Sequence, residues 1–187
     1  MSSSGVLDRL INSFDGCPYG AAAGRTHKAA QRRPLYTPEE RARRDATPWT
    51  LVQGILAPVQ FVVFLVSLGL VLGYLITGEG LFAAEVSIVV KTLTLYLIMV
   101  TGCIWEHRVF GKYLFAESFY WEDVFSMLVL ALHTAYLVAL FGEYGDPMFR
   151  MWLALAAYAA YVINATQFVL KLRAARLEAP ARARQAA

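Results

Sequence analysis

Charge is scarce in this chain. Asp, Glu, Lys and Arg make up 17% of its residues, against roughly 25% in a soluble domain. Histidine and cysteine are scarcer still. Three histidines (His27, His107 and His133) are too few for a histidine-box di-iron oxygenase, and no Glu-x-x-His pair supports a carboxylate-bridged di-iron bundle. Two cysteines make no disulfide framework and show no zinc or iron–sulfur spacing. Cys103 lies inside an apolar run and reads as a buried structural thiol. Neither a Walker loop nor a dinucleotide glycine fingerprint is present. ATP, NAD and a protein-bound redox metal are therefore disfavoured, and no resident cofactor is expected. What remains is acid–base chemistry on a lipophilic substrate, or binding alone.

What the chain has instead is apolar length. Mean hydropathy is +0.47, and 58% of the residues are hydrophobic. Four long apolar runs stand out: Leu51 to Ile76, Val86 to Trp105, Val124 to Phe141, and Met148 to Leu170. Each is long enough to cross a bilayer. No segment alternates like a strand, and no internal repeat is evident. The expected fold is all-α: a polytopic membrane protein with a four-transmembrane-helix bundle and a short N-terminal cytoplasmic helix.

The expected organisation has four parts. Residues 1–33 form a poorly ordered N-terminal extension, polar and Gly/Ala-rich, with no apolar h-region for a cleavable signal peptide. Within it Val6, Leu7, Leu10, Ile11 and Phe14 would share one helical face. Residues 34–48 form a cytoplasmic amphipathic segment. Thr37-Pro38-Glu39-Glu40 reads as a capping box with proline at the first helical position, opening a helix to about Asp45. Thr47-Pro48-Trp49 repeats the Thr-Pro start. Residues 49–172 hold the four spans, with Pro58 expected to kink the first, and residues 173–187 form a basic cytoplasmic tail.

Orientation follows from Lys and Arg. Eight precede the first span, Arg108 and Lys112 lie between spans two and three, and five follow the fourth. Only Lys91 and Arg150 lie elsewhere, and the other two gaps carry Glu79, Glu85, Glu143 and Asp146. Positive-inside places both termini in the cytoplasm. The pI of about 8.9 therefore reflects topology, and no nucleic-acid partner is expected; the bilayer is the partner.

Ionisable residues at membrane depth are costly and are candidates for function. They fall into two layers. At the cytoplasmic end, span two finishes with Trp105-Glu106-His107 and span three starts with Tyr120-Trp121-Glu122-Asp123. If the helices are antiparallel neighbours, three carboxylates converge, with Gln53 and Gln60 of span one and Asn164 and Gln167 of span four at the same end. Carboxylates crowded at low dielectric cannot all ionise, and one that keeps its proton is a general acid at neutral pH. The structural alternative is that they mark helix ends, as Glu122 and Asp123 suit a helix N-terminus. The deeper layer holds Lys91, His133 and Tyr158. His133 lies eleven residues after Glu122 and shares its face. It is a proton relay, a ligand to a metal carried by a substrate, or a plain interhelical hydrogen bond. Lys91 snorkels or pairs across helices. Trp105 and Trp121 directly precede candidate glutamates, so they either stack on a flat ligand or belong to an aromatic belt.

From about Pro34 to Ala179 the chain resembles the 3-vinyl (bacterio)chlorophyllide hydratase family of bacteriochlorophyll biosynthesis. The residues that carry this are Pro34-Leu-Tyr-Thr-Pro-Glu-Glu-Arg-Ala-Arg-Arg44 and Thr47-Pro-Trp-Thr-Leu-Val-Gln-Gly-Ile-Leu-Ala-Pro-Val-Gln-Phe61. Tyr96-Leu-Ile-Met-Val-Thr-Gly102, Trp105-Glu106 and Tyr113-Leu-Phe-Ala116 follow. The strongest strings are Trp121-Glu-Asp-Val-Phe-Ser-Met-Leu-Val-Leu-Ala-Leu-His-Thr-Ala-Tyr136 and Tyr158-Ala-Ala-Tyr-Val-Ile-Asn164.

The resemblance implies a hydro-lyase adding water across the C3 vinyl group of a chlorophyllide or bacteriochlorophyllide, giving a 1-hydroxyethyl group. It also implies the inner, intracytoplasmic membrane of a photosynthetic bacterium, with other pathway enzymes or a second copy of the chain as candidate partners. It brings no residue assignment; the roles come from membrane depth. Glu106, Glu122, Asp123 and His133 are the candidate catalytic groups. Tyr96, Trp105, His107, Arg108, Trp121, Asn164 and Gln167 are the candidate substrate contacts. His133 or His107 would ligate the substrate's magnesium, and Arg108 or Lys112 would meet its propionate. A non-catalytic pigment carrier and a small transporter are the rival readings.

Overall fold

The computed structural model describes residues 35–185, with side chains described to residue 174. The expectations for residues 1–33 lie outside the described residues. Five helices follow one another: α1 (Pro38–Ala46), α2 (Trp49–Thr77), α3 (Leu81–Phe110), α4 (Tyr120–Phe141) and α5 (Pro147–Gln185). No strand occurs among the described residues. Four helices are long and apolar enough to cross a membrane, with α5 counted over Pro147–Ala174.

α1 starts as its sequence dictates. The Thr37 hydroxyl accepts from the Glu40 N–H at 3.2 Å, and Glu40 accepts from the Thr37 N–H at 2.8 Å. The second Thr-Pro differs. Thr47 closes α1, its N–H bonding the Arg43 carbonyl, and α2 begins at Pro48 without a side-chain cap. The two helices are too close for Thr47 to serve both. α2 runs unbroken through Pro58. It ends at Gly78, whose φ of 74° is open to glycine without a Cβ clash. α3 begins and ends about a turn beyond its apolar core, and α5 continues through residues expected to form the tail.

The spans are apolar on the outside and polar within. Leu51, Ile55, Val59, Val62 and Val66 are exposed along α2, while Gln60, Phe64, Ser67 and Val71 are buried on it. On α4 the buried stripe is Glu122, Asp123, Ser126, Val129, His133, Tyr136 and Ala139, at spacings of three and four. In hydrocarbon an unpartnered polar group is expensive, so helices associate by turning these stripes inward. The four spans form two hairpins, α2–α3 and α4–α5, much more closely packed within than across. Gln53 bonds Thr101 at 2.8 Å inside the first, and the Asn164 amide donates to Ser126 at 2.9 Å inside the second. Across the seam Ser67 meets Tyr158 at 2.6 Å and Tyr96 meets Thr134 at 2.8 Å. At the end of the bundle away from α1, Arg150 pairs with Glu85 at 2.9 Å.

Candidate active site

Three carboxyl groups converge where α3 ends and α4 begins. Glu106, Glu122 and Asp123 are all buried there. The loop between the helices organises two of them. Gly111 turns the chain out of α3, and Phe115 takes a left-handed backbone conformation, φ 60°, unusual for a residue with a side chain. That turn aims two consecutive N–H groups inward. Phe115 donates to Asp123 Oδ2 at 2.8 Å, and Ala116 donates to Glu106 Oε1 at 2.7 Å. The arrangement is a small anion-binding nest. The two N–H groups are neighbours in the chain, so they hold the Glu106 and Asp123 carboxyl groups side by side. Two carboxylates only accept, so a direct bond between them would need a proton.

Glu122 is treated differently. Lys171, reaching down from α5, donates to its Oε2 at 2.5 Å and lies 5.0 Å from the centre of the Phe119 ring. The two form a salt bridge in which the Glu122 side chain is 9% exposed and Lys171 28%. The cluster thus divides into two carboxyl groups held by backbone N–H groups and a separate ion pair.

A lid-like cluster of aromatic side chains lies beside the Lys171–Glu122 pair. Phe119 packs against Trp105, Phe110, Phe168 and Tyr36 with ring centroids 5.8 to 6.3 Å apart. Tyr36 also stacks on Phe110 at 5.8 Å and lies under the Arg44 guanidinium. Burial raises the Tyr36 phenol above its usual range, with Arg44 opposing only in part. The Leu35 carbonyl accepts from Ser118 at 2.9 Å, tying the segment before α1 to the same loop.

The other residues singled out in the sequence scatter more widely. Trp105 is half-buried in the aromatic lid, its indole N–H donating to Thr50 at 2.9 Å. Trp121 is 67% exposed and meets only the edge of Tyr120, so it faces away from the carboxyl groups. His107 is exposed with its ring flat on Tyr113, 4.1 Å between centroids, and Arg108 is exposed beside it. Tyr96 is half-buried and spends its hydroxyl on Thr134. Asn164 is buried near Ser126 with its carbonyl oxygen unpartnered, as is that of Gln167. His133 is wholly buried, one helical face along from Asp123.

Sequence reading overlooked Lys171, counting it only as a topology signal. The cue was present, since Asn164, Gln167 and Lys171 are spaced three and four on one face of α5. It also missed the Phe115 and Ala116 N–H groups, which no side-chain pattern announces.

A family model described as 2-vinyl bacteriochlorophyllide hydratase matches residues 36–174. The chain belongs to this family. Two relatives bear the same description, 2-vinyl bacteriochlorophyllide hydratase. The one from Cereibacter sphaeroides is 68% identical over 154 residues, covering 82% of this chain and 95% of the relative. The one from Rhodobacter capsulatus is 68% identical over 148 residues, covering 79% and 86%. No solved structure matches. The match includes all three buried carboxyl residues, the loop that cradles two of them, and Lys171. It starts at Tyr36, the tyrosine of the aromatic lid.

Proposed function

We propose that this chain hydrates the ring vinyl group of a bacteriochlorophyllide, and that the Glu106–Asp123 pair supplies the proton. The observation that carries the assignment of residues is the pair of buried carboxyl groups held by consecutive N–H groups at one end of the bundle. Addition of water to a vinyl group starts with a proton on the terminal carbon. The π bond is consumed, a C–H bond forms, and positive charge develops on the carbon next to the macrocycle, which delocalises it. Water then forms a C–O bond at that carbon and gives a proton back, leaving a 1-hydroxyethyl group. One group must donate, and another must take the proton from water.

The carboxyl pair fills both roles. It holds one proton and one negative charge, so it delivers the first and stabilises the cation with the second. After transfer both groups are carboxylates, and one accepts the proton lost by water. The Phe115 and Ala116 N–H groups keep them oriented throughout. Glu122 is not the acid in this scheme, because its carboxyl group is engaged by Lys171. The aromatic lid formed by Tyr36, Trp105, Phe110 and Phe119 excludes bulk water, so the positioned water is the one that reacts.

The Lys and Arg distribution supports a chain with both termini in the cytoplasm, in the membrane where a photosynthetic bacterium makes its pigment. The carboxyl pair then lies at the cytoplasmic end, within reach of an amphipathic pigment arriving from that surface. The test is direct. Detergent-purified protein is incubated with a vinyl bacteriochlorophyllide, and the pigment is followed by absorbance and mass spectrometry. A blue shift with a mass gain of one water is the expected result. Pigment that binds to folded protein and stays unchanged would replace the hydratase with a carrier.

A further inference from the structure

The bundle interior holds a second group of polar side chains that the proton chemistry leaves unused. His133 is the clearest of them. Its ring Nδ1 lies 2.8 Å from the Val129 carbonyl oxygen, one turn back on α4. A carbonyl only accepts, so Nδ1 carries the hydrogen. Nε2 is therefore the atom with the free lone pair, and it is buried with no partner. Tyr158, whose ring lies 5.9 Å away, does not satisfy it, because its hydroxyl is engaged by Ser67. The seam between the two hairpins carries more such atoms: both amide atoms of Gln60, the Lys91 ammonium and the Tyr136 hydroxyl are buried without partners. Buried polar atoms in native proteins almost always have a partner, so a ligand that enters this seam has open valences to meet.

We propose that His133 Nε2 is the axial ligand to the magnesium of the substrate's macrocycle; this rests on the hydratase reading for the identity of the pigment. Magnesium in a tetrapyrrole plane takes a further ligand from one side, and a neutral imidazole with its other nitrogen hydrogen-bonded is a prepared donor. Of the two histidines whose side chains are described, His107 is committed to the face of Tyr113 on the surface. His133 lies ten residues beyond Asp123 on α4, a rise of about 15 Å. The bond from Nδ1 to the Val129 carbonyl turns the imidazole back along α4, towards the end that holds the carboxyl pair. Phe64 packs against Tyr158 and Tyr161 in the same seam. In this pose the propionate, on the side of the ring away from the vinyl group, points towards Lys91 and not Arg108 or Lys112. The Lys91 ammonium lies 3.7 Å above the Tyr161 ring and faces no carboxylate among the described residues.

The experiment measures binding of two pigments to the full chain in detergent: the magnesium vinyl chlorophyllide and its magnesium-free counterpart. The wild-type protein should bind the magnesium form at least about tenfold more tightly, with the resonance Raman signature of five-coordinate magnesium. His133→Gly should lose that preference, and added imidazole should restore both. Equal binding of the two pigments by the wild type overturns the proposal without recourse to any variant. So does a preference that survives in His133→Ala. Turnover is read separately. Hydration that proceeds without a magnesium preference sinks the ligand assignment alone. A His133-dependent preference without hydration sinks the hydratase reading alone.

Discussion

Glu106 and Asp123 accept from consecutive backbone N–H groups, those of Ala116 at 2.7 Å and Phe115 at 2.8 Å. The residues come from different helices, and the loop joining those helices holds both. The orientation of both carboxyl groups is thus set by one short stretch of chain.

Removing either member should remove the proton. Glu106→Gln and Asp123→Asn keep shape and most hydrogen bonds but cannot share a proton as two carboxyls do. Each should lower the hydration rate by about 10²- to 10⁴-fold, the usual contribution of a positioned acid or base. Membrane levels should stay near wild type, and pigment binding should persist. A fully active Asp123→Asn, measured by product formation, would remove the pair from the mechanism.

Lys171 and Glu122 should behave as a unit. Lys171→Met leaves a buried carboxylate without its cation; because Lys171 is partly exposed, a cost of about 1–3 kcal/mol is expected, below that of a fully buried pair. Glu122→Gln in the same chain should return part of that loss, since no charge is then stranded. Thermal unfolding in detergent of the two single variants and the double variant measures the coupling. Strictly additive effects would show that the bond contributes nothing.

Phe115 carries a backbone conformation that favours other residues. Asn visits the left-handed region readily and β-branched residues resist it. Phe115→Asn should therefore retain more activity than Phe115→Val, although valine is the closer apolar match. Turnover rates of the two variants decide it, and the reverse order would mean the Phe115 ring, which contacts Tyr120 at 5.7 Å, matters more than the backbone.

Lys91→Met provides an independent check on how the pigment lies. The variant should bind the free acid more weakly than wild type and the propionate methyl ester equally well, because only the acid offers an anion to the ammonium. Equilibrium binding of both pigments measures the difference. An equal loss for acid and ester would mean that Lys91 serves packing against Tyr161.

Trp121→Ala should leave hydration intact. The side chain is exposed and touches the edge of Tyr120, so nothing at the carboxyl pair depends on it. A large loss of turnover would show that pigment reaches the site past this face of α4.

The number of spans and the grouping of polar residues at two depths follow from the chain alone. Apolar length and the cost of burying charge in hydrocarbon are local properties, summed along a helix. The convergence of Glu106, Glu122 and Asp123 was legible for the same reason, since helix ends on one side of a bilayer must meet. How the three divide was not. That Lys171 takes Glu122, and that a left-handed Phe115 turns two N–H groups onto the other two carboxyls, depends on distances across helices and on a backbone angle. No residue pattern encodes either. The aromatic candidates show the same limit: Trp105 and Trp121 read alike in sequence, yet one closes the lid and the other faces outward. Helix rotation about its own axis decides such matters, and only packing of the four spans against one another sets that rotation.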